Sequence, residues 1–320
     1  MSKGLTKRFN PARDANSVAN PNCLGCVNAD VRKTDQEGLC TVVKSLYDGF
    51  PVRCVGNWAN QKIYYLIEYF KLFAGGMKNK WSKLHYVEIC SGPGRCILRE
   101  DKKEQDGTAL CVLNSELFQH ISSAIFVDNS QVVVDTLNAR IKSAGKDAIA
   151  KAIVGDYNQP QSMVSSLRSL VANELTLCFI DPTDCSLPFL TIKEIKRAIP
   201  KCDFLISVFD GLDFHRNARM IINRGAYPSL RYKYCRFLGV DDFFDRPEVM
   251  AAAKKSNDDL STLFRACYSE QLKSIGLIYQ GSKEVKNYYY LQFASENSRG
   301  LDFWEKASAI AYNGQMLLGL

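Results

Sequence analysis

The stretch LHYVEICSGPGR, residues Leu84–Arg95, decides the fold of this chain. Its first half is a nearly continuous apolar run, which is typical of a β-strand covered on both faces. Its second half is a glycine turn, and glycine lets the backbone come close to a bound molecule. A buried strand that leads directly into such a turn predicts a doubly wound α/β domain with its ligand at the carboxyl end of that strand.

Four further apolar runs follow this strand, separated by segments of helical length and period. The runs span residues 123–128, 151–156, 175–181 and 203–209, and helical segments include Ser130–Ser143 and Pro160–Val171. Ahead of the first strand, apolar residues at helical spacing begin after Trp58. Alternating strands and helices predict a sheet whose strands are parallel.

The C-terminal part changes character. Residues 223–257 are rich in Arg, Tyr and Asp and are predicted to be an insertion, followed by a helix at Leu260–Ser274. Two strands are predicted next, at residues 276–280 and 287–295, with a turn at Gly281–Lys286. So tight a hairpin must be antiparallel. The predicted fold class is therefore α/β, with a doubly wound, mostly parallel sheet of the Rossmann-like methyltransferase type and a terminal antiparallel hairpin.

The composition predicts one large globular domain with additions. The 320 residues are 46% hydrophobic and 23% charged, which excludes disorder, collagen and coiled coil. No apolar run reaches the roughly 20 residues of a membrane span, and the polar, basic start does not resemble a secretory signal, so a cytoplasmic location is expected. We divide the chain into residues 1–57, a basic arm with a cysteine-bearing segment, and residues 58–320, the methyltransferase-like domain.

Each predicted strand ends in polar residues that together resemble an S-adenosylmethionine site. The cofactor-binding candidates are Glu88, Ser91, Gly92, Gly94, Asp128, Asp156 and Asp181. In this interpretation the glycine turn receives the amino-acid part, and Asp128 and Asp156 receive ribose and adenine. Any one of these acids could instead be a helix cap, and any one of these glycines could instead belong to an ordinary turn. The dinucleotide fingerprint is absent after Gly94, and so is a Walker lysine, which argues against nicotinamide and nucleoside triphosphate cofactors.

Asp181 and Lys62 are the predicted catalytic residues. Methyl transfer needs orientation of the acceptor and removal of one proton, and Asp181 is the candidate group that faces the acceptor. Lys62 is placed in the acceptor cleft with Arg95, His215 and Arg216. The alternative for each basic residue is a solvated charge or a helix cap.

Twelve cysteines are many for a chain expected to stay reduced. Cys23 and Cys26 have the spacing of a zinc knuckle, and Cys40 and Cys54 could complete four thiolate ligands. Unliganded thiols and a redox role remain alternatives for these four. The other eight are predicted to pack in the core.

An ordered set of motifs resembles the three-Cys-motif partner (TcmP) family. These are DGFPVRCVGNW (48–58), Lys62, MKNKW (77–81), EICSGPGR (88–95), DGT (106–108), GDYN (155–158), FIDP (179–182), RN (216–217), FAS (293–295) and RGLDFW (299–304). The resemblance covers residues 40–306 and implies a methyltransferase-like fold. It also implies a partner protein of radical-SAM type that carries the three-cysteine motif.

Two functional hypotheses follow, and nucleic-acid cleavage or another chemistry is a third alternative, because a fold does not fix a function. The first is an S-adenosylmethionine-dependent methyltransferase that acts on nucleic acid together with this partner. A net charge of +7 permits such an acceptor, and basic and aromatic residues between Arg224 and Arg236 suit either unpaired bases or a protein surface. The second is a non-catalytic accessory subunit of the partner. It is favoured by Thr183 and Asp184, which stand where amino-methyltransferases have a proline and an aromatic residue.

Overall fold

The structure, a computed structural model, describes residues 19–21, 23, 26, 35, 38–171, 174–224, 227–310 and 312. Most of the predicted basic arm lies outside these residues. In chain order the strands are β1 (Leu39–Lys44), β2 (Pro51–Val55), β3 (Leu84–Ile89), β4 (Arg95–Leu98), β5 (Glu104–Asp106), β6 (Ser123–Asp128), β7 (Ala150–Val154), β8 (Leu175–Ile180), β9 (Cys202–Val208), β10 (Tyr279–Val285) and β11 (Tyr289–Ser295). The helices are α1 (Trp58–Met77), α2 (Thr108–Leu113), α3 (Gln131–Ser143), α4 (Pro160–Val171), α5 (Phe189–Ala198), α6 (His215–Arg224), α7 (Pro228–Leu238), α8 (Pro247–Ala253), α9 (Asn257–Ser274) and α10 (Ser298–Ser308).

Seven strands form the main sheet in the order β10-β11-β9-β8-β3-β6-β7. β11 runs antiparallel to both of its neighbours, and the pairs from β9 to β7 are all parallel. The predicted Rossmann-like sheet of the methyltransferase type is confirmed. Because β6 and β8 flank β3 on opposite sides, the strand order reverses at β3, and a crevice opens where such a reversal occurs.

The central strands are apolar throughout because both faces of the sheet are covered. Every residue of β3 and β9 is buried. Helix α1 packs on the sheet through large side chains such as Phe70 and Phe73, which are fully buried. The Tyr69 hydroxyl of α1 donates to the Asp203 carboxylate of β9 at 2.8 Å, which fixes the helix against the sheet.

The terminal hairpin is antiparallel as predicted, but its turn is not at Gly281–Lys286. Strand β10 continues through Gly281 to Val285, and the chain reverses at Lys286 and Asn287, whose φ angles are +47° and +56°. Two left-handed residues are what a tight hairpin requires. Gly281 is a strand residue without a side chain because a Cβ there would lie 2.5 Å from the ring of Trp304.

A second, four-stranded sheet of order β1-β2-β4-β5 was not predicted. The chain enters β4 directly after the glycine turn, where a βα unit would begin a helix, and β2 pairs with β4 in parallel. The division of the chain at residue 57 stays a prediction, but strands from both sides of it share this sheet. Helices α7 and α8 lie in the segment predicted as an insertion. No helix within the described ranges has the length and apolarity to cross a membrane.

Candidate active site

The glycine turn at the end of β3 is built from three left-handed residues. Cys90, Gly92 and Gly94 have φ angles of +65°, +66° and +93°. A Cβ on Gly94 would lie 2.9 Å from Cδ1 of Leu137, so no side chain fits there. Cys90 occupies the position of the first glycine of the usual methyltransferase turn, and its backbone adopts the conformation for which glycine is preferred.

Asp128, at the end of β6, holds the turn in place. Its Oδ2 accepts the Gly92 N–H at 3.0 Å and its Oδ1 accepts the Ser130 N–H at 3.2 Å. The Ser91 N–H donates to the Val127 carbonyl at 3.0 Å. The Ser91 hydroxyl is buried and has no hydrogen-bond partner among the described residues. The turn is thus bound to its neighbouring strand, and the hydroxyl of Ser91 takes no part in that binding.

Glu88 lies beneath the turn and is fully buried. Its carboxyl accepts hydrogen bonds from the hydroxyls of Tyr86 at 2.7 Å and Thr108 at 2.5 Å. Burial raises the pKa of Glu88 to about 8; the nearby charge of Asp181 adds to the rise, and the two hydrogen bonds and Lys62 oppose it. At neutral pH this carboxyl is therefore mainly protonated.

Lys62 of α1 and Asp181, which follows β8, form an ion pair whose side chains are 9% and 12% exposed. The Ser207 hydroxyl of β9 donates to the other carboxylate oxygen of Asp181 at 2.6 Å. Lys62 Nζ also lies 5.2 Å from the ring centroid of Trp58. The carboxylate is held from two elements and keeps lone pairs for a third donor.

These groups meet in one cleft of about 430 Å³, its open mouth included. Six predicted residues line it, namely Lys62, Ser91, Gly92, Gly94, Arg95 and Asp181. Glu88 and Asp128 support its wall from behind through Thr108 and Gly92. This convergence at the reversal of strand order is the arrangement expected of a ligand site.

Asp156 and two of the basic candidates lie apart from the cleft. The Asp156 carboxylate accepts the N–H of Asn158 at 2.8 Å in the loop after β7, and the Gly155 N–H bonds to the Asp128 carbonyl at 3.0 Å. His215 faces α9, with Nδ1 3.5 Å from the Ser261 hydroxyl. Neither His215 nor Arg216 is among the residues that line the cleft.

Arg95 lines the cleft, but its guanidinium is used by the small sheet. Nε donates to Glu104 at 2.6 Å and Nη1 to Asp106 at 2.8 Å. The guanidinium carbon also lies 4.2 Å from the ring centroid of Tyr47. Arg95 therefore stabilises the β4–β5 hairpin that follows the turn.

Sequence reasoning missed the contributions of Arg53, Thr108 and Ser207. Arg53, on β2, lines the cleft and lies over the turn: a Cβ on Gly92 would be 3.6 Å from its Cζ. Ser207 is a polar residue inside the apolar run of β9, and that irregularity was the one available signal. No pattern in the sequence placed β2 beside the turn.

The four N-terminal cysteines gather near one face of the small sheet. Cys23 packs in an apolar cluster with Val52 and Ile97, and Cys40 packs against that cluster. Burial raises the pKa of Cys23 to about 11, and its proximity to Cys40, Cys54 and Cys26 adds to the rise.

No group of three or more His, Cys, Asp or Glu side chains in the described part of the chain is placed to hold a metal ion. Zinc therefore gains no support and is not part of the function proposed below. Seven of the other eight cysteines are buried as predicted: Cys96, Cys111, Cys178, Cys185, Cys202, Cys235 and Cys267. The eighth, Cys90, belongs to the turn.

No family model matches the chain, and no curated protein matches it, so the resemblance to the three-Cys-motif partner family is not confirmed. Among solved structures it is similar to the O-methyltransferase from Bacillus cereus in complex with SAH (TM-score 0.39, 10% identity, 73% of this chain and 80% of that one). It is also similar to the O-methyltransferase TomG from Streptomyces achromogenes in complex with SAM (0.38, 10%, 71% and 78%) and to protein LPL1258 from Legionella pneumophila (0.44, 11%, 82% and 95%). At TM-scores below 0.5 these similarities do not bear on function.

Proposed function

We propose that the protein binds S-adenosylmethionine in the cleft at the end of β3 and transfers its methyl group to an acceptor beside Asp181. One observation carries this proposal: the glycine turn, which Asp128 holds in place, and the Lys62–Asp181 pair line a single cleft where the strand order reverses. Nucleotide-derived cofactors bind at such a reversal in open α/β sheets.

The residues of the turn suit the amino-acid part of the cofactor. Left-handed Gly92 and Gly94 keep the backbone free of side chains, and the Ser91 hydroxyl has no partner among the described residues. Asp128, behind the turn, is the candidate for the ribose hydroxyls, and Asp156, one strand further on, is the candidate for adenine. Both lie beyond the residues that line the cleft. When bound, S-adenosylmethionine supplies an electrophilic methyl group.

Asp181 is the group we assign to the acceptor. Lys62 and Ser207 fix its carboxylate, so that its orientation is set before an acceptor arrives. A carboxylate in this place accepts a hydrogen bond from an N–H or O–H of the acceptor and can take up the proton that methylation releases.

Calorimetric titration with S-adenosylmethionine tests the cofactor. We expect saturable binding by the wild type and binding about 10-fold weaker or worse for Asp128→Asn, because hydrogen bonds to a charged group contribute about 1.5–3 kcal/mol. Asp135→Asn is the matched control, since Asp135 is exposed on α3 and bonds to Gln131. Absence of binding by folded wild type at millimolar ligand would contradict the proposal.

For the acceptor we propose nucleic acid, presented together with the radical-SAM-type partner. Helix α7 supports this, because Tyr232 is 64% exposed and the Arg236 guanidinium carbon lies 5.5 Å from its ring centroid. The helix borders the cleft side of the sheet: Lys233 pairs with Asp184 at 2.9 Å, and Arg236 donates to Asn158 at 2.8 Å. Tyr234, which the sequence grouped with these residues, is buried and cannot stack on a base.

A second candidate is the accessory subunit without activity. The observation that favours it is Asp184, whose carboxylate is bound by Lys233 and by the Ser186 N–H and which stands where amino-methyltransferases have an aromatic residue. Transfer of labelled methyl groups to DNA or RNA, with and without the partner, separates the two candidates. Methylation lost in Asp181→Asn supports the enzyme, and cofactor binding without any transfer supports the accessory role.

A further inference from the structure

We infer that Arg53 binds the carboxylate of the methionine part of the cofactor, and this inference rests on the proposed function. Strands β2 and β4 of the small sheet pair so that Arg53 lies opposite Cys96. Cys96 follows the glycine turn closely in the sequence. Its guanidinium lies over the turn, since a Cβ on Gly92 would be 3.6 Å from Cζ and 3.7 Å from Nη1. Arg53, Ser91 and Gly92 all line the cleft.

The chemistry of this end of the cleft suits a carboxylate. Guanidinium is planar and always charged, and it binds carboxylates with two parallel hydrogen bonds. The Ser91 hydroxyl, 7% exposed as a residue and without a partner among the described residues, stands on the same turn and offers a further donor. A carboxylate taken from water into a narrow cleft needs such compensation, because an uncompensated buried charge is strongly unfavourable.

The two ends of the cleft therefore differ in what they accept. At the acceptor end, Lys62 lies against Asp181, and a carboxylate of the ligand would meet that acid. At the turn end, the side chain over Gly92 is a cation. This polarity orients the ligand with its amino-acid part at the turn and its reacting group toward Asp181.

Two ligands that differ in the amino-acid part test the assignment. S-adenosylhomocysteine carries the carboxylate, and 5′-methylthioadenosine lacks the whole aminocarboxylate. We expect Arg53→Met to weaken S-adenosylhomocysteine binding about 10- to 100-fold, as a lost charge-assisted hydrogen bond does, and to leave methylthioadenosine binding unchanged. Arg53→Lys should fall between wild type and Arg53→Met. Arg299→Met, at a side chain 60% exposed, is the matched control and should bind both ligands as the wild type does.

Each other outcome has a distinct meaning. Equal loss of both ligands in Arg53→Met, with an unchanged thermal midpoint, would show that Arg53 shapes the whole cleft and would overturn the carboxylate assignment. Unchanged S-adenosylhomocysteine binding would overturn it as well. Wild type that binds neither ligand would refute the proposed function, and the role of Arg53 with it.

Discussion

At the scale of single residues, burial sets the chemistry of the site. Glu88 and Asp181 are both acids near the cleft, but they have different surroundings. Glu88 is fully buried, and this burial favours its neutral form, whereas Asp181 is paired with Lys62. The first acid therefore belongs to the scaffold under the turn, and the second is available for a proton or a hydrogen bond from the acceptor.

Glu88→Gln should stabilise the protein increasingly as pH rises. The pKa of Glu88 is about 8 in the folded protein against an ordinary value of 4.5. The part of the stability that depends on Glu88 is therefore fully present below pH 4.5 and is lost as pH rises through 8, because ionisation of Glu88 favours the unfolded chain. Urea unfolding from pH 4 to 8.5 measures the difference. If the difference in the free energy of unfolding between variant and wild type does not grow over this pH range, the raised pKa of Glu88 is contradicted.

Asp181→Asn should lower the rate of methyl transfer about 100-fold or more, the usual contribution of a positioned acid–base group. Cofactor affinity should change less than about 3-fold, because the glycine turn is untouched. Single-turnover kinetics and calorimetry on the same preparation separate the two effects. Equal losses of rate and of cofactor affinity would show that Asp181 serves cofactor binding instead.

At the scale of elements, Arg140 of α3 joins the glycine turn to the β1–β2 hairpin. Its guanidinium donates to the Pro93 carbonyl at 2.6 Å and to the Pro51 carbonyl at 2.9 Å. Nε and Nη2 bind the Asp48 carboxylate at 2.8 and 2.9 Å. The side chain is 3% exposed, so one buried residue connects the turn, the hairpin and the main sheet.

Arg140→Met should therefore destabilise the protein by about 3 kcal/mol, the usual result of removing one partner of a buried ion pair. Lys142→Met, two residues along the same helix, removes an exposed charge and is the control. Chemical denaturation followed by circular dichroism measures the free energy of unfolding. A loss below about 0.5 kcal/mol, the scale of an ordinary surface substitution, would contradict this connection.

Strand β10 provides a second test at this scale. Gly281→Val adds a side chain where the Trp304 ring lies, and we expect a loss of about 1–3 kcal/mol from overpacking. Ser282→Ala, at the next and exposed position, should have little effect. Thermal unfolding compares the two variants. Wild-type stability in Gly281→Val would mean that the predicted turn, not the observed strand, describes this segment.

At the scale of the whole molecule, the cleft side of the sheet is bordered by a helix that carries exposed aromatic and basic side chains. If this surface binds nucleic acid, Tyr232→Ala should weaken single-stranded binding by about 1–3 kcal/mol, the usual contribution of one stacked base. Affinity should also fall steeply with salt. Fluorescence anisotropy with labelled RNA and DNA at several salt concentrations measures both. If the affinity for nucleic acid changes neither in Tyr232→Ala nor with the salt concentration, this surface is excluded as the acceptor site.

The sequence by itself determined the order and type of the main elements. Buried parallel strands must be apolar along their whole length, so local sequence patterns predict β3, β6 and β8. A local pattern also predicts the turn that follows β3. Local patterns also placed Asp128 and Asp181 at strand ends. Only the tertiary structure decided which of these side chains meet, because the contacts of Lys62 with Asp181 and of Arg53 with the turn join residues far apart in the chain. The small sheet, the raised pKa of Glu88 and the arginine over Gly92 all follow from that packing, which no local spacing encodes.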